Sequence, residues 1–153
     1  MGARDVGEAD RTVVFYTKDF GKIIALARGV RLEKSKLKGH LGFLEHCRCM
    51  ITPAREWYRL LDAEIIREFH YKDYVRFRNM VLFASFASNL IAGEEKDAKL
   101  WEFLKATVYQ GLADDAMLIA SKETLLNIFG MMPESGARSE EAIADILEAN
   151  HMV

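Results

Sequence analysis

Seven cations, Lys18, Lys22, Arg28, Arg31, Lys34, Lys36 and Lys38, fall within 21 residues of this chain, against two acids, Asp19 and Glu33. Cations at that density can follow a phosphate backbone, each neutralised phosphate releasing condensed counterions. Tyr16, Phe20, Trp57 and Tyr58 lie in the same part of the chain, and aromatic rings stack on unpaired bases whatever their identity. Together these residue types describe a surface for single-stranded nucleic acid. The competing reading places Tyr16 and Trp57 in a core and the cations on a solvated face.

Covalent chemistry has far less to work with. There is no Gly-x-Ser-x-Gly elbow, P-loop, Gly-x-Gly-x-x-Gly or His-Glu-x-x-His in the chain. His40, His46, His70 and His151 are scattered, and on a strand His46 faces away from Cys47. Cys47 and Cys49 share one strand face, but without further ligands at usable spacing two thiolates make no structural zinc site, so they read as core thiols. The acid pairs Glu94-Glu95 and Asp114-Asp115 fall at helix junctions, where capping is their expected role. No catalytic residue, metal or cofactor is expected, and the protein does not read as an enzyme.

The net charge of −2 hides a strong asymmetry. Residues 1–10 carry −2, residues 11–59 carry +7 and residues 60–153 carry −7. A basic block joined to an acidic one suggests a polyanion-binding half and a half with other work. The 153 residues, half of them hydrophobic, suffice for one ordinary domain or two small ones. The longest uncharged run, Asn79 to Gly93, has 15 residues, short of the roughly 20 that cross a bilayer. No secretory leader is evident at Met1-Gly2-Ala3-Arg4-Asp5. With only two cysteines, a reducing cytoplasm is the expected location.

Periodicity separates two kinds of element. Residues 11–17 and 22–28 are β-branched and apolar and predict two well-buried strands, joined by Lys18-Asp19-Phe20-Gly21 as a hairpin turn. Residues 30–39 read as a long basic loop, 41–51 as a third strand alternating about Phe43, Cys47 and Ile51, and 57–65 as its partner after the Pro53 turn. From about Tyr71 the spacing turns helical. Tyr74, Phe77, Val81, Ala84, Ser88 and Ile91 form the predicted stripe of a helix buried on most sides. Further helices are predicted over about 97–112, over 115–129 with Gly130 and Pro133 ending it, and after Ser139 as N-cap. The fold class is α+β: a small β-barrel over residues 1–69, then an all-helical domain over 70–153.

Gly7-Glu8-Ala9-Asp10-Arg11, Tyr16-Thr17-Lys18-Asp19-Phe20-Gly21-Lys22, Ala27-Arg28-Gly29-Val30-Arg31 and Lys34-Ser35-Lys36-Leu37 resemble, in order and spacing, the bacterial recombination mediator family RecO. Beyond residue 65 the resemblance is one of layout. It implies an N-terminal OB-fold followed by helices, acting in gap and break repair without covalent chemistry. It implies binding to single- and double-stranded DNA, strand annealing, contact with the tail of single-strand-binding protein, and RecA loading with RecR, in the cytoplasm at the bacterial nucleoid. By position, Lys18, Lys22, Arg28, Arg31, Lys34, Lys36 and Lys38 are then the candidates for phosphate contact.

The sequence departs from the family pattern at both ends. Six residues before Gly7 leave the first barrel strand missing or shortened, with an open edge unless an upstream in-frame segment completes it. A shorter helical part without the cysteine cluster of some members implies no zinc and a reduced surface for RecR and single-strand-binding protein. The alternative function is a helical adaptor that lost DNA binding with the first strand.

Overall fold

The structure, a computed structural model, describes residues 2–69, 73–132 and 139–150. Tyr71 and Pro133, which the spacing predicts at helix ends, and the 69/70 boundary at His70 lie outside them. The chain divides into two compact units, Met1–His70 with Gly93–Asp97, and Tyr71–Ala92 with Ala98–Val153.

Short-range alternation shapes the first unit. β1 (Gly2–Val6), β2 (Asp10–Thr17) and β3 (Gly21–Ala27) form an antiparallel meander in which Ala3 stands opposite Val13 and Phe15 opposite Ile23. Ile23, Ala25 and Ala27 are buried, whereas Ile24 on the other face of β3 is 39% exposed, so these strands are covered on one side rather than both. The β2–β3 turn closes at Gly21 with φ +68°, where a Cβ would also run into the backbone of Glu95. Gly21→Ala is expected to cost about 2 kcal/mol or more from the strained φ and the collision, read as a lower denaturation midpoint.

β4 (His46–Thr52) and β5 (Tyr58–Arg67) are an antiparallel pair, and β5 joins the meander in parallel through Ala25 opposite Tyr58 and Leu26 opposite Arg59. The sheet order is therefore β1-β2-β3-β5-β4, the connectivity of a five-stranded Greek-key barrel laid open. Among the described residues no pairing joins β1 to β4, so the expected barrel is an unclosed sheet. The first strand, which the sequence left missing or shortened, is present with five paired residues.

The expected strand over 41–51 starts five residues late. Residues 41–45 form a turn instead: the Gly42 N–H donates to the Glu45 carboxylate at 2.6 Å, and Leu44 takes φ +62°, which no strand accommodates. The basic stretch is a chain of tight turns, with the N–H groups of Leu32, Ser35, Lys38 and His40 each donating to the carbonyl three residues back. Val30 and Leu37 anchor it in the core beside Ala25, Ala27, Leu60 and Ala63.

The second unit holds α1 (Tyr74–Leu90), α2 (Ala98–Gln110), α3 (Asp115–Ile128) and α4 (Glu140–Ala149) among the described residues, with α3 packed against the other three. Asp73, Asp114 and Ser139 cap α1, α3 and α4 by accepting backbone N–H bonds with their side chains. Gly130, at φ +68°, ends α3: its N–H donates to Asn127 and that of Met131 to Leu126, pairing carbonyls the helix leaves orphaned. Lys122, 8% exposed, reaches the Glu140 carboxylate at 2.7 and 2.8 Å beneath the Phe86 ring and ties α4 to α3.

On α1 the buried stripe coincides with the predicted one only in part, at Ala84 and Ile91. Met80, Phe83, Ala84, Ala87 and Leu90 are buried, whereas Tyr74 is 75%, Phe77 45% and Val81 37% exposed. Burial on most sides does not occur, and because apolar residues stand on several sides of α1 among the polar Arg76, Arg78, Asn79, Ser85, Ser88 and Asn89, spacing alone does not select the buried face.

Candidate nucleic-acid interface

Two pieces of backbone present the candidate cations. The first is the face of the meander away from the core. Lys22 stands opposite Tyr16, Ile24 opposite Val14 and Leu26 opposite Thr12, and residues opposite each other in an antiparallel pair share a face. Arg4 on β1, opposite Thr12, and Arg59 on β5, beside Leu26, extend that face. Arg28 is exposed just past the end of β3. In the sequence both Arg4 and Arg59 count only toward net charge, outside the stretch from Lys18 to Lys38. Strand alternation was a usable signal for both, but it needed the register, above all the parallel β3–β5 contact.

The second piece is the turn chain after β3. Lys34, Lys36 and Lys38 are exposed while Val30 and Leu37 on the same segment are buried, 6% and 7% exposed. Anchoring by apolar residues holds the three ammonium groups on a positioned loop, which lowers the ordering cost of binding. Among the described residues these three lysines, Lys18 and Arg28 make no ion pair. Lys18 is exposed in the β2–β3 turn, beside Asp19, whose carboxylate is 3.9 Å from Lys96.

Arg31 is placed differently from the other six. Its guanidinium donates to the Gly7 carbonyl at 3.2 Å and lies 3.7 Å from Asp5, and its backbone N–H donates to the Ala9 carbonyl. The Asp10 carboxylate accepts the Gly29 N–H at 2.8 Å. The Gly7-to-Arg11 and Ala27-to-Arg31 blocks, which the sequence shows as separate motifs, thus form one clasp. Arg31 works within this clasp, so its charge is partly matched.

Asp5 completes the clasp. The Arg11 Nε–H at 2.7 Å holds its carboxyl below the usual aspartate range against the opposing desolvation, with the Arg11 and Arg31 charges adding to the lowering. A carboxyl with a lowered folded-state pKa contributes its stabilisation above the unfolded value and loses it as pH falls through the folded one. An NMR titration of the Asp5 carboxyl is expected to give a midpoint below that of an unstructured aspartate, and Arg11→Ala to raise it.

The aromatic candidates divide. Phe20 and Trp57 are 47% and 39% exposed, and so available for stacking. Tyr58 is half-buried beside the core, packs on Phe20 with ring centroids 6.1 Å apart, and donates its hydroxyl to Glu94 at 2.9 Å. Burial, reinforced by the Asp97 charge, pushes the Tyr16 phenol up to about 12. Among the described residues no three His, Cys, Asp or Glu side chains are grouped to hold a metal ion, and no helix is long and apolar enough to cross a membrane.

Residues 1–69, the sheet, its basic loop and the clasp, match the profile of a family described as "Recombination protein O N terminal". Over residues 1–69 the chain is similar to RecO N-terminal domains. The chain is also similar to the DNA repair protein RecO of Bacillus mycoides (strain KBAB4), 27% identical over 136 residues, covering 84% of this chain and 54% of that protein. With its counterpart in Halalkalibacterium halodurans the identity is 26% over 140 residues, 85% of this chain and 53% of the relative. That of Thermoanaerobacter sp. (strain X514) is 26% identical over 136 residues, with 84% and 54% covered. The chain spans about half the length of these relatives, and the similarity runs past residue 69 into the helical unit.

Proposed function

We propose that this chain serves recombinational DNA repair as a non-catalytic DNA-binding protein. Residues 1–69 hold single- or double-stranded DNA, and residues 70–153 form a helical domain that meets protein partners. Lys18, Lys22, Arg28, Lys34, Lys36 and Lys38 contact phosphates, with Arg31 bracing the loop that carries the last three. The observation that carries this reading is the anchored turn chain after β3, whose three outward lysines are left unmatched among the described residues. By resemblance to the family, the finer role is annealing complementary strands and, with RecR, assisting RecA loading. RecR and single-strand-binding protein are then its protein partners, at the nucleoid in the cytoplasm.

Fluorescence anisotropy of a labelled single-stranded oligonucleotide tests this, with affinity expected to fall steeply as salt rises. No binding at low salt sinks the reading. Retained capture of RecR or of the single-strand-binding-protein tail in that case selects the adaptor.

A further inference from the structure

Cys47 and Cys49 take no part in the DNA surface, yet their sulfurs are 3.4 Å apart on one face of β4. Side chains two apart on an extended strand point the same way with Cα atoms about 6.6 Å apart, within reach of a disulfide but seldom in sulfur contact. Here the strand is locally bent: its register with β5 shifts between His46 and Cys47 and again between Met50 and Ile51, on either side of the pair. β4 is also the last strand in the sheet order, with β5 its one neighbour among the described residues, so it can adjust without disturbing a second ladder. Both thiols are free and only partly buried.

We propose that this pair is a modification site, a dithiol that hydrogen peroxide closes into a disulfide within β4. Either sulfur can donate in this contact, and the one that accepts is the one held toward the thiolate. With Cys47 as the acceptor and attacking sulfur, the bond from Cys49 lowers the Cys47 pKa against burial and the Glu45 charge, while the same bond, burial and the Cys47 and Asp62 charges raise that of Cys49. The Cys47 thiolate attacks one peroxide oxygen and becomes a sulfenic acid, and the hydroxide that leaves takes the Cys49 proton as water. The Cys49 thiolate then attacks the Cys47 sulfur, and the departing hydroxide is protonated to a second water. Two thiols are oxidised by two electrons and one peroxide is reduced to two waters.

Treating the full chain with hydrogen peroxide and counting free thiols with a maleimide, alongside intact mass, tests this. The expected result is joint loss of both thiols with a mass decrease of two hydrogens, no cross-linked dimer, and full recovery with dithiothreitol. Cys49→Ser is expected to stop at the sulfenic acid, trapped by dimedone at Cys47. Thiols that persist under peroxide, that oxidise singly to sulfinic or sulfonic acid, or that pair between chains overturn the proposal. These readouts need no DNA, so their failure leaves the DNA-binding reading standing.

Discussion

Replacing Lys34, Lys36 and Lys38 together by glutamine is expected to weaken single-strand binding about a hundredfold at 0.1 M salt. Each phosphate contact on a single strand contributes about 0.7 to the slope of log affinity against log salt, so removing three lowers the slope by about 2. The loss should be uniform across sequences, since phosphate contacts carry no base information. The backbone turns and the anchors Val30 and Leu37 are untouched by the exchange, so the thermal unfolding midpoint should stay near that of the parent. An unchanged salt slope removes the three lysines from the interface. Arg31→Gln is the contrasting variant. It breaks the bond to the Gly7 carbonyl and the approach to Asp5, so it should lower stability as well as affinity.

Phe83→Ala is expected to destabilise the helical unit by about 3–5 kcal/mol, a large share of the roughly 5–15 kcal/mol that holds a domain folded. The ring is 2% exposed and meets the Phe103 ring edge-on at 6.1 Å between centroids, so truncation leaves a cavity as well as lost contact area. Tyr74→Ala, at a position 75% exposed, should stay within about 0.5 kcal/mol. Chemical denaturation of the two variants side by side measures the difference. Equal effects would contradict the burial pattern of α1.

Much of the local structure was legible because local interactions determine it. The Gly21 turn, the Ser139 cap and the Gly130 stop each depend on a few neighbouring atoms, and each stands where the residues predict. The strand over 41–51 failed for an equally local reason of another kind. Alternation was real, but a glycine three residues before a glutamate closes a turn that outcompeted it, through the Glu45 side-chain bond to the Gly42 N–H. On α1 the predicted stripe holds at Ala84 and Ile91 but not at Tyr74, Phe77 and Val81, because apolar residues stand on several sides and which of them is buried depends on where α3 packs.

The sequence by itself determined the basic stretch, the absence of familiar catalytic motifs, the order of strands before helices and the resemblance to RecO. These follow from residue type and short spacing. Tertiary structure alone decided which cations stand free and which are matched. Arg31 and Lys34 are alike in sequence, yet one is drawn to Asp5 and Gly7 and the other stands outward on an anchored loop. It also decided that Arg4 and Arg59 share a face with Lys22, and that the sheet stays open. The physical reason is the same in each case. Strand register and tertiary contact join residues far apart in the chain, Arg31 with Gly7 and Leu26 with Arg59 among them, and no spacing rule carries such distances.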